Sequence, residues 1–133
     1  MNGPLLYIGG TGGDLRNRPN QLHSPLSDVF EVIAYDQRGL GQTSKPLGDY
    51  SMKQYADDAA SLLDELGIET IPVMGVSFGG MVAQELVKRH PSRVSKLVLA
   101  CTSLTSFHFS LPLLYFYIYF TLTSIFIFLF SHP

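Results

Sequence analysis

Four short, largely apolar runs set the terms of the fold: residues 5–8, 29–35, 71–76 and 94–101, each stopped by glycine or a polar turn. Strands covered on both faces read as near-continuous apolar runs, whereas a strand with one wet face alternates. Between the second and third runs lies a segment of helical period. Ser51 with Gln54 makes a capping-box pattern; Met52, Tyr55, Ala56, Ala59, Leu62, Leu63 and Leu66 share one face, and Gly67 supplies the stop. A second helix is expected over residues 79–88, ending before Pro91, because the residue before proline disfavours helical geometry. Residues 14–27 hold two prolines and little periodicity, so a loop with at most a short helix is expected. Strands alternating with helices imply an α/β fold with a parallel sheet and helices on both faces. In such sheets ligands sit at the carboxyl ends of the strands.

Two motifs fall at those ends. Gly75-Val76-Ser77-Phe78-Gly79-Gly80 follows the third run and opens the second helix. A serine hydroxyl becomes a useful nucleophile when it is exposed, aligned with a base and placed beside donors for the developing oxyanion. Gly-x-Ser-x-Gly between strand and helix supplies the exposure, since the turn is sharp and strained and its glycines leave room where side chains would strike backbone. The bland reading is a Gly/Ser turn without chemistry, and the strand–turn–helix context is what weighs against it. The other motif, Gly9-Gly10-Thr11-Gly12-Gly13, follows the first run. It can be an oxyanion loop, with the Thr11 N–H beside that of Phe78 and Gly10 in support, a phosphate cradle, or a tight turn needing positive φ. It lacks the Gly-Lys-Ser/Thr ending of a P-loop and the third glycine of a dinucleotide fingerprint.

Together with Tyr35-Asp36-Gln37-Arg38-Gly39-Leu40-Gly41-Gln42-Thr43-Ser44, these motifs resemble the α/β-hydrolase superfamily in order and approximate spacing over about residues 3–102. The resemblance is nearest to methylesterase-like and proline-iminopeptidase-like members. It implies that the chain starts at the family's third strand, is truncated after the strand that follows the nucleophile helix, and uses Ser77 as nucleophile. The reaction implied is hydrolysis of an ester or amide through an acyl-enzyme, with a small-molecule substrate and no cofactor or metal. Asp36 and Arg38 would organise the loop after the second run, since a short carboxylate among glycines caps loop N–H groups. One departure is Gly9, where many members carry histidine.

The same resemblance requires an acid and then a histidine after the serine. Glu85 is the only carboxylate after Ser77, and it lies on the helix leading away from the turn. His90 is thirteen positions on and reads as a helix-end residue; His23 sits in the early loop, and His108 and His132 flank an apolar tract. The usual triad is therefore incomplete, and the alternative reading is a non-catalytic, membrane-anchored fragment.

Charge divides the chain. Every Asp, Glu, Lys and Arg lies at or before Lys96, so residues 3–102 read as a partial hydrolase domain and residues 103–133 as an apolar tail. Residues 111–130 are twenty uncharged positions, the length of a transmembrane helix, with Lys88, Arg89, Arg93 and Lys96 on their amino-terminal side. That segment would put the chain at a membrane; without it the expected location is the cytoplasm. A net charge of −2 gives no basic field for nucleic acid, and the lone Cys101 makes no intrachain disulfide. Residues 1–8 lack the pattern of a secretory signal. The tail is almost entirely Phe, Leu, Ile, Tyr, Ser, Thr, His and Pro, residues with pyrimidine- and thymine-rich codons. Retained noncoding sequence would give this composition, so residues after about Ser103 are expected to come from an unspliced or misread gene. Sequencing full-length transcripts tests this; abundant messages carrying the tail as a terminal exon would refute it.

Overall fold

The computed structural model describes residues 2–103, 116–119 and 126–131. The elements in chain order are β1 (Pro4–Ile8), β2 (Glu31–Ala34), α1 (Met52–Glu65), β3 (Ile71–Val76), α2 (Phe78–Arg89), β4 (Val94–Ala100), β5 (Phe116–Tyr119) and β6 (Phe126–Ser131). Residues between β1 and β2 include short 3-10 turns at Gln21–His23 and Pro25–Asp28.

The sheet has the order β2-β1-β3-β4-β6-β5, and its first four strands are parallel. Register places Leu6 beside Val73 and Val73 beside Leu97; one step on, Ile8, Gly75 and Leu99 align. These rows face a single buried cluster that also takes Ala56, Ala59 and Leu63 from α1 and Val82, Ala83 and Leu86 from α2. Alanine makes up most of the α1 side of this cluster, and such small side chains allow close approach of a neighbouring helix. The parallel strands with their helices are the partial α/β arrangement the sequence implies, and α1 and α2 share this one cluster.

Helix α1 forms as its sequence dictates. The Ser51 hydroxyl accepts from the Gln54 N–H at 3.2 Å, and the Gln54 side chain accepts from the Ser51 N–H at 2.8 Å. At the other end Gly67 turns left-handed (φ 66°) and the Ile68 N–H reaches back to the Leu63 carbonyl at 2.9 Å, satisfying an otherwise orphaned acceptor. Leu66 departs from the expected apolar face and is 49% exposed, because it sits at the cap where the chain leaves the core. Strand β2 is shorter than the apolar run: the N–H groups of Val29 and Phe30 both bond to the Leu26 carbonyl, so pairing with β1 begins only at Glu31.

In the tail, β6 pairs antiparallel with β4, matching Leu97 to Phe130 and Leu99 to Phe128, and β5 pairs antiparallel with β6. The expected membrane helix over residues 111–130 is thus corrected where the segment is described: residues 116–119 and 126–130 are strand, as aromatic and β-branched content favours. The remainder of that segment, with His108 and His132, lies outside the described residues. Among the described residues no helix is long and apolar enough to cross a membrane.

Charged clasps hold α1 to its neighbours. Arg93 bonds Asp64 at 2.5 Å and the Ile68 and Glu69 carbonyls at 2.7 Å each. Asp57 accepts from Arg89 at 3.0 and 3.2 Å and lies 2.8 Å from His90 Nε2. Bonding to Arg89, and then to His90, holds the Asp57 carboxyl below its ordinary value. A depressed folded pKa contributes stability above the unfolded pKa and loses it as the pH falls through the folded one. Asp57→Asn should therefore lower the urea midpoint at pH 7 and flatten its decline between about pH 5 and pH 2; an unchanged acid limb would contradict the clasp.

Candidate active site

The carboxyl ends of β1, β2, β3 and β4 meet along one edge of the sheet, and the motif residues gather there. Ser77 connects β3 to α2 with φ 55° and ψ −123°, a left-handed conformation rare for a side-chain-bearing residue, and it is exposed. Its N–H donates to the Ala100 carbonyl at 2.9 Å, which ties the turn to the end of β4, and its carbonyl accepts from the Gly80 N–H at 2.9 Å.

Three glycines make this turn possible. A Cβ on Gly79 would fall inside the carbonyl oxygens of Ile8 and Gly9, so the first turn of α2 rests directly on the end of β1. A Cβ on Gly75 would come within 2.7 Å of the Gly79 carbonyl and of Gly80 Cα. On Gly80 it would meet Thr102 at 2.5 Å. Phe78, half-buried, is held from the side: its ring stands edge-on to Tyr55 at 5.1 Å, and Tyr55 is edge-on to Tyr50 at 6.0 Å.

The glycine loop lies against the same turn. A Cβ on Gly10 would sit 3.3 Å from Ser77 Cβ and 3.7 Å from Ser77 Oγ, so Gly10 is the loop residue packed on the serine. Thr11 follows it and is exposed, and Gly12 takes φ 76°. Asp36, buried, spans two loops: Oδ1 accepts from the Leu15 N–H at 2.8 Å and Oδ2 from the Gln42 N–H at 2.9 Å, while Thr43 Oγ1 donates to its carbonyl. Arg38 forms a two-bond pair with Asp58 of α1 at 2.8 and 2.5 Å. Both side chains do the organising work expected of them after the second run.

Two residues carry weight that the sequence did not signal. Gln37 is 2% exposed and donates from Nε2 to the Gly9 carbonyl at 2.7 Å. Gln84, fully buried on α2, donates to the Gly80 carbonyl at 3.2 Å and the Ser103 carbonyl at 2.8 Å, fixing the chain as it leaves β4. A glutamine in a polar motif or on a helix looks solvated in sequence, and only burial shows otherwise. Beside the glycine loop a cavity of about 20 Å³ is bounded by Gly9, Gly10, Leu15, Tyr35, Asp36 and Gln37 among others. Burial raises the Tyr35 hydroxyl's pKa, with the Asp58 carboxylate adding to it, so the phenol stays protonated.

Neither described histidine bonds Ser77. His90 caps the far end of α2, about 18 Å of helix from the serine, and bonds Asp57. His23 is exposed with Nδ1 2.9 Å from Asn20 Oδ1. Glu85 pairs with Lys88 at 3.6 Å.

If the turn at Ser77 is strained as its φ indicates, Ser77→Gly should raise stability by about 1 kcal/mol in urea unfolding. Gly79→Ala should unfold the chain or cost more than about 3 kcal/mol, because two backbone oxygens must move. A stable Gly79→Ala protein, or a Ser77→Gly protein no more stable than the parent, would contradict this packing.

Comparison with known proteins agrees with the arrangement. A family model for the alpha/beta hydrolase fold matches residues 3–122. A poly(3-hydroxyalkanoate) depolymerase of Ectopseudomonas oleovorans is 38% identical over 104 residues, covering 75% of this chain and 35% of that protein. A 3-oxoadipate enol-lactonase of Acinetobacter baylyi is 33% identical over 99 residues, covering 74% and 37%. Among solved structures, a meta-cleavage product hydrolase of Pseudomonas fluorescens IP01 superposes with a TM-score of 0.69 at 31% identity, over 79% of this chain and 40% of the other. The chain spans 25% to 38% of the length of such curated relatives. With the strand order, the turn at Ser77 and the family match in agreement, the chain belongs to the α/β hydrolase fold family.

Proposed function

We propose that this chain carries the nucleophile part of a serine hydrolase acting on an ester or amide. Ser77 Oγ attacks the carbonyl carbon and gives up its proton to a base; the tetrahedral oxyanion is held by the N–H groups of Phe78 and Thr11. Collapse expels the alcohol or amine, which takes a proton, and leaves an acyl-enzyme. Water then attacks that ester and releases the acid and the serine. The observation that carries this reading is the exposed, left-handed Ser77 at the start of α2, with Gly10 of the glycine loop packed on its side chain. The helix amino terminus adds partial positive charge where the oxyanion forms. Relatives named as a lactonase and a depolymerase support a small ester as substrate. The base and acid are to be sought outside the described residues.

A second reading, a fragment without turnover, is favoured by one observation: both described histidines are engaged elsewhere, His90 with Asp57 and His23 with Asn20. Exposure to a fluorophosphonate probe separates the two. The first reading expects labelling of the folded chain that Ser77→Ala abolishes. Folded protein that takes no label, or that labels equally well as Ser77→Ala, overturns it in favour of the second.

A further inference from the structure

The glycine loop is held at both ends by consecutive residues. At its start the Gly9 carbonyl accepts from Gln37 Nε2 at 2.7 Å; at its end the Leu15 N–H donates to the Asp36 carboxylate at 2.8 Å. Both holding residues are buried and both lie just beyond β2, so the loop between them is spanned from one rigid point. The amide orientation of Gln37 is fixed by chemistry: a carbonyl oxygen only accepts, so the nitrogen must face Gly9. The Gly9 carbonyl is also one of the two oxygens on which Gly79 rests. A single oxygen thus meets the glutamine on one side and the start of α2 on the other, and the next residue, Gly10, packs on Ser77.

We propose that Gln37 is a positioning residue: its bond to the Gly9 carbonyl sets the peptide plane from which Gly10 and Thr11 continue, and so sets where their N–H groups lie relative to Ser77. The role assigned to Thr11 rests on the proposed nucleophile reading; the clamp itself does not. A loop of five residues with four glycines has little conformational preference of its own. An oxyanion site needs donors held within tenths of an ångström before the reaction starts. Asp36 alone fixes only the distal end, six residues beyond Gly9, which leaves Gly10 and Thr11 free to pivot. Gln37 supplies the missing restraint. Its Oε1 is buried with no hydrogen-bond partner among the described residues, a cost that the nitrogen's bond to Gly9 helps to offset.

The experiment uses the full 133-residue chain with Gln37→Met, which keeps the volume and removes the donor, and Gln37→Glu, which regains a donor only when protonated. Amide hydrogen exchange is followed over residues 10–13, with α1 and β3 as internal references, together with the rate of Ser77 labelling by a fluorophosphonate. Gln37→Met should exchange at least about tenfold faster in the loop with α1 unchanged, and should label at least about tenfold more slowly. Gln37→Glu should loosen the loop at least as much as Gln37→Met at pH 8, where its carboxylate faces the Gly9 oxygen, and move back toward the parent at pH 5, after correction for intrinsic exchange. Unchanged loop exchange in Gln37→Met, or equal acceleration of loop and helix, overturns the clamp. A loosened loop that labels at the parental rate overturns its role in positioning the site. If the parent takes no label, the nucleophile reading fails, while loop exchange and the pH recovery of Gln37→Glu still decide the clamp.

Discussion

The close approach of α2 to the end of β1 governs everything at the carboxyl edge of this sheet. Gly79 lies so near the Ile8 and Gly9 carbonyls that no side chain fits between them. That contact drives α2 straight off β3 with a single residue of connection, and the single residue is Ser77, forced to a positive φ. The strain costs of the order of 1–3 kcal/mol. The sheet rows beneath, the Gly75 contact with α2 and the Ser77 N–H bond to Ala100 offset it. Exposure of the serine is thus a product of packing elsewhere, which is why the glycines matter more to the turn than the serine does.

Much of this could be read in the sequence because it depends on local chemistry. The capping box at Ser51, the stop at Gly67 and the glycines around Ser77 follow from which backbone angles and which volumes each residue tolerates. The parallel sheet followed from apolar runs between helical segments. Burial of polar groups could not be read this way. Gln37 and Gln84 look like surface residues until the tertiary structure encloses them, and each then donates to a backbone carbonyl distant in sequence, Gly9 and Ser103. Asp36 was legible as a loop organiser, but its reach to Leu15, twenty-one residues away, belongs to the fold alone. The tail misled for a related reason: twenty uncharged residues satisfy a length criterion for a membrane helix, while their aromatic and β-branched character suits strands, and of the described portions β6 pairs with β4 and β5 with β6.

The proposed chemistry is unevenly distributed. The nucleophile and its oxyanion donors are short-range features, assembled from two strand ends and one helix start, all of which the chain contains. A base and an acid are long-range features in this fold family, contributed after the nucleophile helix. The two described histidines are taken up away from the serine: His90, with Arg89, ties the end of α2 to Asp57 of α1, and His23 bonds Asn20.

The central claim, that Ser77 and the glycine loop together form a site for a tetrahedral oxyanion, can be tested without any base. A small arylboronic acid forms a tetrahedral adduct on a serine only where the anionic boron is stabilised. Boron-11 resonance of the chain with phenylboronic acid, followed by a structure of the adduct, is the most direct measurement. The account predicts tetrahedral boron on Ser77 Oγ, with one boronate oxygen accepting from the N–H groups of Phe78 and Thr11, and no adduct with Ser77→Ala. Boron that stays trigonal in the presence of folded protein, or an adduct that persists in Ser77→Ala, would contradict it.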